Sequence, residues 1–397
     1  MIRKVLYFHY QRSERDGSFV HTMEFEAAFK KLCAEKGIVF KVFSPELVAH
    51  TGDQPLGLFS KLKRRLARFY LRDFRTALLQ VFSFYKELAI LREEKPDVVL
   101  TRYNHANATL AILWACRKQG IPVVIEMNSP NRDSDQGLYQ RFPFFIKLFS
   151  ARTALSLADG LFAVSDEISE PLRQEAKPGQ PVITIPNGVD IDRFDPSLSP
   201  LLVRQRLGIP KERVVFGFVG SFAPWHGVDL LVDAFSMLLN EGLPVHLLLV
   251  GQTNPLWQAQ IDRLKSPEFS PYVSLAGFVT PSEIPNYLAA MDITTLPNQA
   301  DYCSPLKLFE YMAMSRPTVS VNTKPVAMTM ADGKEGLLFP AGDVSALAEH
   351  MRDLVVHPDK RQALGAAARV RMEQEFTWRH NAERVFALLE EAYSKTS

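Results

Sequence analysis

The sequence predicts an α/β protein with two doubly wound parallel sheets in separate domains. Three observations predict this class. Short apolar runs alternate with helical segments along most of the chain, which is the pattern of parallel sheets covered by helices. The alternation stops at the linker-like stretch Asp195-Pro196-Ser197-Leu198-Ser199-Pro200 and then starts again. A chain of 397 residues is also too long for one hydrophobic core.

In the first half, buried strands are predicted at six apolar runs, residues 4–9, 39–43, 97–101, 122–126, 160–164 and 182–185. Helices are predicted between them at residues 19–36, 106–118 and 168–175. The first domain is therefore taken as residues 1–195. It is expected to carry one half of a cleft between the domains, because ligands of such sheets bind outside the carboxyl ends of the strands.

In the second half, strands are predicted at residues 214–219, 245–250, 273–276, 293–296 and 318–321. Helices are predicted at residues 228–240, 282–291 and 305–314, and the sequence is helical from Val344 onward. The second domain is taken as residues 196–376. The remaining residues, 377–397, are predicted as a helix that packs away from the second sheet.

Composition and charge exclude several classes of protein. The chain has 47% hydrophobic and 23% charged residues, has no apolar run of eighteen, and turns polar within its first ten residues. A membrane span and a signal peptide are therefore not expected. The three cysteines form no CxxC pair, so no disulfide framework or zinc site is predicted, and the expected location is cytoplasmic. The phosphate-loop, HExxH, GxSxG and GxGxxG motifs are missing, which disfavours kinases, metalloproteases, α/β-hydrolases and ordinary dehydrogenases.

Residues 61–75 contain seven Lys or Arg and one Asp, interleaved with Leu, Phe and Tyr. This pattern suits a peripheral helix on an anionic membrane surface, such as the inner face of the cytoplasmic membrane. It equally suits a solvated basic helix that packs on its own domain. The Phe-rich residues 139–149 are a second candidate for membrane contact. Nucleic acid is not an expected partner, because no nucleic-acid motif accompanies the basic residues.

The most informative segment is residues 301–313, with the sequence DYCSPLKLFEYMA. Ser304 is predicted to cap a helix with Pro305 at its first position. The free amides of such a helix end suit an anion. Lys307 and Glu310, three residues apart, share one face and suit a phosphate and a sugar diol. Alternatively, this is an ordinary amphipathic helix with a surface ion pair.

Three predicted strands of the second half end in glycine, which allows a ligand to approach the backbone closely. These ends and their neighbours are candidate binding residues for a ligand that carries a diphosphate: Gly220, Ser221, His226, Gly251, Gly277, Phe278 and Val279. Phe278 and Val279 are predicted to form an apolar wall for a flat base. In the first half, Gly17 precedes the first long helix, which carries His21 near its start. Glu126 and Asn128 lie at the end of a strand, at the predicted cleft edge.

Several of these segments resemble glycosyltransferase family 4, the retaining enzymes of the GT-B fold. The matching segments are IPNGVD at 185–190, FVGS at 218–221, VG at 250–251, AGFV at 276–279 and SPLKLFEYMA at 304–313. Gly17 and His21 also fit the first domain of this family. The resemblance implies transfer of a sugar from a nucleotide-sugar donor to a glycan or lipid-linked acceptor, with retention at the anomeric carbon.

The resemblance also implies roles for single residues. Glu310 is expected to hold the donor ribose, residues 277–279 to face the base, and the amides around Ser304, Pro305 and Leu306 to meet the diphosphate. His21 is expected near the donor phosphate or sugar, and Gly17 lets the acceptor domain approach the donor. Glu126 and Asn128 are expected on the acceptor side. His21, Lys307 and Glu310 are the candidate catalytic residues.

The chain departs from the family pattern at three positions. Ser221 and His226 stand where the family usually has arginine and lysine, and Tyr302 stands where it usually has glutamate. We hypothesise that Lys307 supplies the missing cation. No cofactor and no metal are expected besides the donor itself. Two alternatives remain open: a nucleotide-sugar epimerase on the same fold, and a non-catalytic nucleotide-sugar-binding protein.

Overall fold

The structure is a computed structural model that describes residues 1–9, 17–44, 83–103, 109–129, 152–252 and 257–396. The basic residues 61–75 and the Phe-rich residues 139–149 lie outside these ranges. The chain forms two compact units, one comprising Met1–Ile185 with Ala382–Ser397 and the other Pro186–Asn381. Among the described residues, no helix combines the length and the apolar character that crossing a bilayer requires.

The first unit contains a sheet of six parallel strands in the order β2-β1-β3-β4-β5-β6. The strands are β1 (Lys4–Phe8), β2 (Val39–Phe43), β3 (Val98–Arg102), β4 (Val123–Met127), β5 (Gly160–Ala163) and β6 (Val182–Thr184). The helices are α1 (Gly17–Glu35), α2 (83–94), α3 (Thr109–Gln119), α4 (152–157) and α5 (Asp166–Glu175). Strand β4 is buried along its whole length, as expected for a parallel strand with both faces covered.

The second unit contains six parallel strands in the order β12-β11-β10-β7-β8-β9. They are β7 (Val214–Val219), β8 (Val245–Val250), β9 (Val273–Gly277), β10 (Ile293–Leu296), β11 (Thr318–Val321) and β12 (Gly336–Phe339). The helices begin with α6 (Leu201–Arg206), α7 (Val228–Asn240), α8 (Gln258–Leu264), α9 (Ile284–Ala289) and α10 (Leu306–Ala313). They continue with α11 (Lys324–Thr329), α12 (Val344–Val356), α13 (Pro358–Glu375) and α14 (Trp378–Thr396), whose residues from Ala382 onward belong to the first unit.

The prediction of an α/β protein with two Rossmann-like sheets is confirmed. In each sheet the winding direction reverses at one point, between β1 and β3 in the first and between β10 and β7 in the second. Ligands of doubly wound sheets bind at such points, outside the carboxyl ends of the strands. Alternate residues of β7 and β8 enter separate apolar clusters on the two faces of the second sheet.

The first unit ends after Ile185, earlier in the chain than the expected boundary at residue 195. The reason is that the following residues pack with the second unit. The Val189 amide donates to the Phe376 carbonyl at 2.9 Å, and the Phe194 side chain is buried in the core of the second unit. The second unit also extends to Asn381, past the expected boundary at residue 376. The reason is that the Asn381 side chain donates to the Pro186 carbonyl, at the start of this unit, at 2.8 Å.

Candidate functional site

The carboxyl ends of β7, β8 and β9 are joined by backbone hydrogen bonds at glycine. The Gly220 amide donates to the Val250 carbonyl at 2.9 Å, and the Gly251 amide donates to the Gly277 carbonyl at 2.8 Å. Gly251 has φ +144°, and a β-carbon there would lie only 1.8 Å from the Gly220 carbonyl oxygen. The three predicted glycine turns are therefore joined through their backbones, and at Gly251 a side chain would collide with the Gly220 turn.

We expect Gly251→Ala to lower the free energy of unfolding by about 2–4 kcal/mol, because it adds both backbone strain and a steric clash. Gly277→Ala is the matched control. Gly277 also has a positive φ, +70°, but a β-carbon there meets nothing within 4 Å, so only strain is added. Urea unfolding of both variants measures the difference. Equal losses would show that the turn at Gly251 relaxes and does not need glycine.

Helix α10 is held against the end of β7 by a buried tyrosine. The Tyr311 hydroxyl accepts a hydrogen bond from the Val219 amide at 2.8 Å. This contact brings Lys307, one turn earlier, next to the glycine turn, where a β-carbon on Gly220 would lie 2.7 Å from Lys307 Nζ. The ammonium also lies 4.7 Å from the ring centroid of Phe218, within the range of a cation–π contact.

The ammonium of Lys307 is buried and has no hydrogen-bond partner among the residues that the structure describes. Burial lowers the pKa of Lys307 to about 8, although the nearby Cys303 and Glu310 act in the opposite direction. Lys307 is therefore a positive charge held beside the Gly220 turn without a hydrogen-bonded counterion. This is the arrangement expected of a side chain that waits for an anion.

The prediction that Ser304 caps α10 is wrong. The helix begins at Leu306, and Pro305 occupies the N-cap position without a side-chain hydrogen bond. Asn187, distant in sequence, contacts Ser304 instead: its amide donates to the Ser304 hydroxyl at 3.3 Å and its side chain donates to the Ser304 carbonyl at 2.7 Å. Ser304 thereby joins the start of the second unit to the segment that leads into α10.

His226 lies beside Phe218, whose ring also lies next to Gly220. Its Nδ1 donates to the Ser221 carbonyl at 2.6 Å, and its ring lies 5.8 Å from the Phe218 ring. Burial and the nearby Lys307 lower the pKa of His226 to about 4, against the effect of the Ser221 hydrogen bond. The imidazole is thus neutral at pH 7, and Lys307 rather than His226 carries the positive charge here.

The other predicted donor residues differ in exposure. The Phe278 side chain is 64% exposed, whereas Val279 is 9% exposed and packs into the core. Only Phe278 therefore offers an open apolar side chain beside the third glycine turn. Glu310 is partly buried on α10 and close enough to Lys307 to raise its pKa.

In the first unit, the structure brings together three predicted residues. His21 Nε2 lies 2.6 Å from Glu126 Oε1, and the Asn128 side chain donates to the same oxygen at 2.7 Å. Gly17 begins α1, the helix that carries His21. Glu126 was expected on the acceptor side, but it is 1% exposed. One carboxylate oxygen is therefore engaged by neighbouring side chains, and the other, Oε2, is buried without a hydrogen-bond partner among the described residues.

Two residues of this cluster were not predicted from the sequence. Arg102 ends β3 and donates to the Thr22 hydroxyl at 2.5 Å, and His9 follows β1 and is buried. Burial and the nearby Arg102 lower the pKa of His9. The rule that singled out Glu126, a polar residue at a strand end, applies equally to both and was a sufficient signal. Within the described ranges, no group of three His, Cys, Asp or Glu side chains forms a metal site.

Comparison with known proteins identifies the family. The profile described as Glycosyltransferase Family 4 matches residues 25–193, and the profile described as Glycosyl transferases group 1 matches residues 213–357. The chain belongs to glycosyltransferase family 4. The resemblance seen in the sequence motifs is confirmed.

Two relatives illustrate the range of the family. The D-inositol 3-phosphate glycosyltransferase of Corynebacterium jeikeium is 30% identical over 52% of this chain and 51% of its own length. A GDP-mannose-dependent monoacylated alpha-(1-6)-phosphatidylinositol monomannoside mannosyltransferase of Corynebacterium glutamicum is 26% identical over 52% of this chain and 55% of its own length. The chain thus matches these curated relatives over about half of their length.

Solved structures show the same fold over nearly the whole chain. Anabaena Alr3699/HepE, in complex with UDP and glucose, has a TM-score of 0.68 at 18% identity, covering 98% of this chain and 99% of its own. WaaG, a glycosyltransferase involved in lipopolysaccharide biosynthesis, has a TM-score of 0.64 at 16% identity, covering 97% and 99%. The fold of this family 4 member is therefore GT-B.

Proposed function

We propose that this protein is a retaining glycosyltransferase that moves a sugar from a nucleotide-sugar donor to a glycan or lipid-linked acceptor. The observation that carries the proposal is the buried ammonium of Lys307, which lies against the Gly220 turn without a hydrogen-bond partner among the described residues. Family membership and the two relatives named as glycosyltransferases support the same activity.

A diphosphate is the ligand that best matches this arrangement. Burying an uncompensated ammonium is costly, and an anion offsets the cost when it binds. The amino end of α10 adds a positive dipole at the same place, and the glycine turns let phosphate oxygens approach the backbone. Because His226 is neutral, Lys307 and the helix dipole would together stabilise the charge that develops on the leaving diphosphate.

We propose that retention proceeds by front-face attack. The acceptor hydroxyl approaches the face that the diphosphate leaves, the C1–O bond to phosphate breaks as the new glycosidic bond forms, and a phosphate oxygen takes the acceptor proton. The protein then contributes orientation and charge stabilisation. Since Lys307 supplies positive charge to the phosphates, the proposal includes turnover without an added metal, and EDTA is expected to leave the rate unchanged.

We further propose a lipid-linked acceptor at the cytoplasmic membrane face, with the protein cytoplasmic and peripheral. The seven basic residues between 61 and 75 support this location, and one relative is named for a phosphatidylinositol mannoside substrate. The protein is expected to co-sediment with vesicles that contain anionic lipid at low salt, and to stay in the supernatant with neutral vesicles. Sedimentation by neither kind of vesicle would remove the membrane from the proposal.

The function is tested by nucleotide release from UDP-, GDP- and ADP-sugars, with and without a membrane lipid extract. Release from one donor that requires the extract, with product of retained anomeric configuration, is the expected result. Conversion of the donor sugar without any extract would favour the epimerase. Donor binding without release or conversion, in an extract shown to contain a competent acceptor, would favour the non-catalytic binding protein.

A further inference from the structure

His21 and Glu126 form a buried hydrogen-bonded pair close to the point where the first sheet reverses its winding. His21 is 5% exposed and Glu126 is 1% exposed, and their Nε2 and Oε1 atoms lie 2.6 Å apart. Glu126 belongs to β4, and its neighbours at the carboxyl ends of the other strands are His9 and Arg102. This is the ligand-binding region of a doubly wound sheet.

Glu126 is poorly placed to contact a substrate itself. One carboxylate oxygen receives both His21 Nε2 and the Asn128 amide, and the side chain is closed to solvent. Burial raises the pKa of Glu126, but the nearby His21 and Arg102 and the hydrogen bond from Asn128 outweigh burial and bring the pKa to about 2. The group is thus an ionised carboxylate whose Oε1 is engaged by its neighbours, while Oε2 is buried without a hydrogen-bond partner among the described residues.

The carboxylate determines how the His21 ring stands. An ionised carboxylate only accepts hydrogen bonds, so Nε2 of His21 must carry the proton that it donates to Oε1. The short contact also fixes the plane of the ring against α1. A histidine oriented by a buried carboxylate presents its other nitrogen in one defined direction, which is how such pairs prepare an imidazole for chemistry.

We propose that Glu126 is a positioning residue that holds His21 in its Nε2-protonated form and in a single orientation for sugar transfer. The role of Glu126 in sugar transfer rests on the proposed transferase function. The protonation and orientation of the His21 ring do not. Four other titratable or charged groups lie around the pair. They are Tyr7 in β1, His9 just after β1, Arg102 at the end of β3, and Glu26 in α1.

The orientation is tested without any turnover, by NMR of the protein labelled with ¹⁵N-histidine. The His21 signals are assigned by their loss in His21→Asn. In the wild type, the Nε2–H proton is expected far downfield, because its hydrogen bond to a charged acceptor is short. In Glu126→Gln it is expected to move upfield. Glu87→Gln is the control, since Glu87 is an equally buried carboxylate of the first unit at 1% exposure. An unchanged signal in Glu126→Gln would overturn the proposal.

The catalytic consequence is tested by a double-mutant cycle. Glu126→Gln is expected to lower kcat by about 10- to 100-fold. This is the loss seen in metal sites when the group that orients a metal-binding histidine is removed. The donor KM should change much less. In the His21→Asn background, adding Glu126→Gln should cost nothing further, because its effect passes through His21. Losses that multiply in the double variant would mean that Glu126 acts on its own.

The two measurements separate this inference from the proposed function. If no donor and acceptor give turnover but the Nε2–H signal responds as expected, the transferase proposal fails while the orientation of His21 by Glu126 stands. If turnover is found and the signal does not respond, the transferase stands and the positioning role fails. Glu87→Gln should leave both kcat and the His21 signal unchanged.

Discussion

Lys307→Met is expected to lower kcat/KM for transfer by about 10²- to 10³-fold, the loss found when one charge-stabilising donor is removed from a transition state. The same variant is expected to be more stable than the wild type. Methionine has a similar volume, and it removes an ammonium that has no hydrogen-bond partner among the described residues. A gain of about 1–3 kcal/mol is the expected size of this relief.

The cation–π contact with Phe218, 4.7 Å away, opposes this gain but does not cancel it. Such a contact contributes about 0.5–2 kcal/mol. The lowered pKa of Lys307, about 8 instead of 10.5, shows that the site as a whole disfavours the charged form. Lower activity combined with higher stability is therefore the signature of a charge kept for a ligand.

Lys324→Met is the matched control, because Lys324 is exposed and begins α11, the helix that follows strand β11 of the same sheet. It should change neither rate nor stability. Thermal unfolding with and without the nucleoside diphosphate of the active donor completes the test. The nucleotide should stabilise the wild type and Lys324→Met but hardly stabilise Lys307→Met. Equal stabilisation of all three proteins would exclude Lys307 from the diphosphate site.

Lys307 also makes stability and binding depend on pH. Its pKa is about 8 in the folded protein and near the ordinary 10.5 in the unfolded chain. Between these values the unfolded chain binds one more proton, so stability should rise with pH in this window. Diphosphate affinity should run the other way, falling above pH 8 by up to about tenfold per pH unit, because binding must then take up a proton. Lys307→Met should show neither dependence.

The fold was predictable because its signal is local and repeated. Each predicted strand appears in the sequence as a short run of apolar residues. Parallel sheets with both faces covered by helices need such runs. The strand β12, Gly336–Phe339, escaped prediction. Its place is set by pairing with β11, a contact that the local sequence does not reveal. The short helices α6, α8 and α11 were missed for the same reason.

The site was predictable in its residues but not in its contacts. The spacing of Lys307 and Glu310 put both on one helix face, but only Tyr311 bonding to the end of β7 brings Lys307 to Gly220. The Ser304 hydroxyl could cap a helix. Instead it accepts a hydrogen bond from the Asn187 amide, 117 positions away in the sequence. Propensity describes what a residue does alone, and tertiary partners override it.

The second large effect is expected at Glu310, the residue predicted to hold the donor ribose. Two ribose hydroxyls can donate to one carboxylate, and each hydrogen bond to a charged group contributes about 1.5–3 kcal/mol. Glu310→Ala should therefore lower kcat/KM by at least about 10²-fold. Glu349→Ala, which removes an exposed carboxylate from α12, should have no effect on the rate.

A lower rate in Glu310→Ala does not by itself identify the ribose, because Glu310 also raises the pKa of Lys307. Comparing the nucleoside diphosphate with its 2′,3′-dideoxy analogue separates the two effects, since both ligands carry the same diphosphate and feel the same change at Lys307. The wild type should prefer the ribonucleotide by at least about tenfold per hydroxyl, and in Glu310→Ala the preference should disappear. A preference that survives in Glu310→Ala would mean that another group binds the diol and that Glu310 acts only through the charge of Lys307.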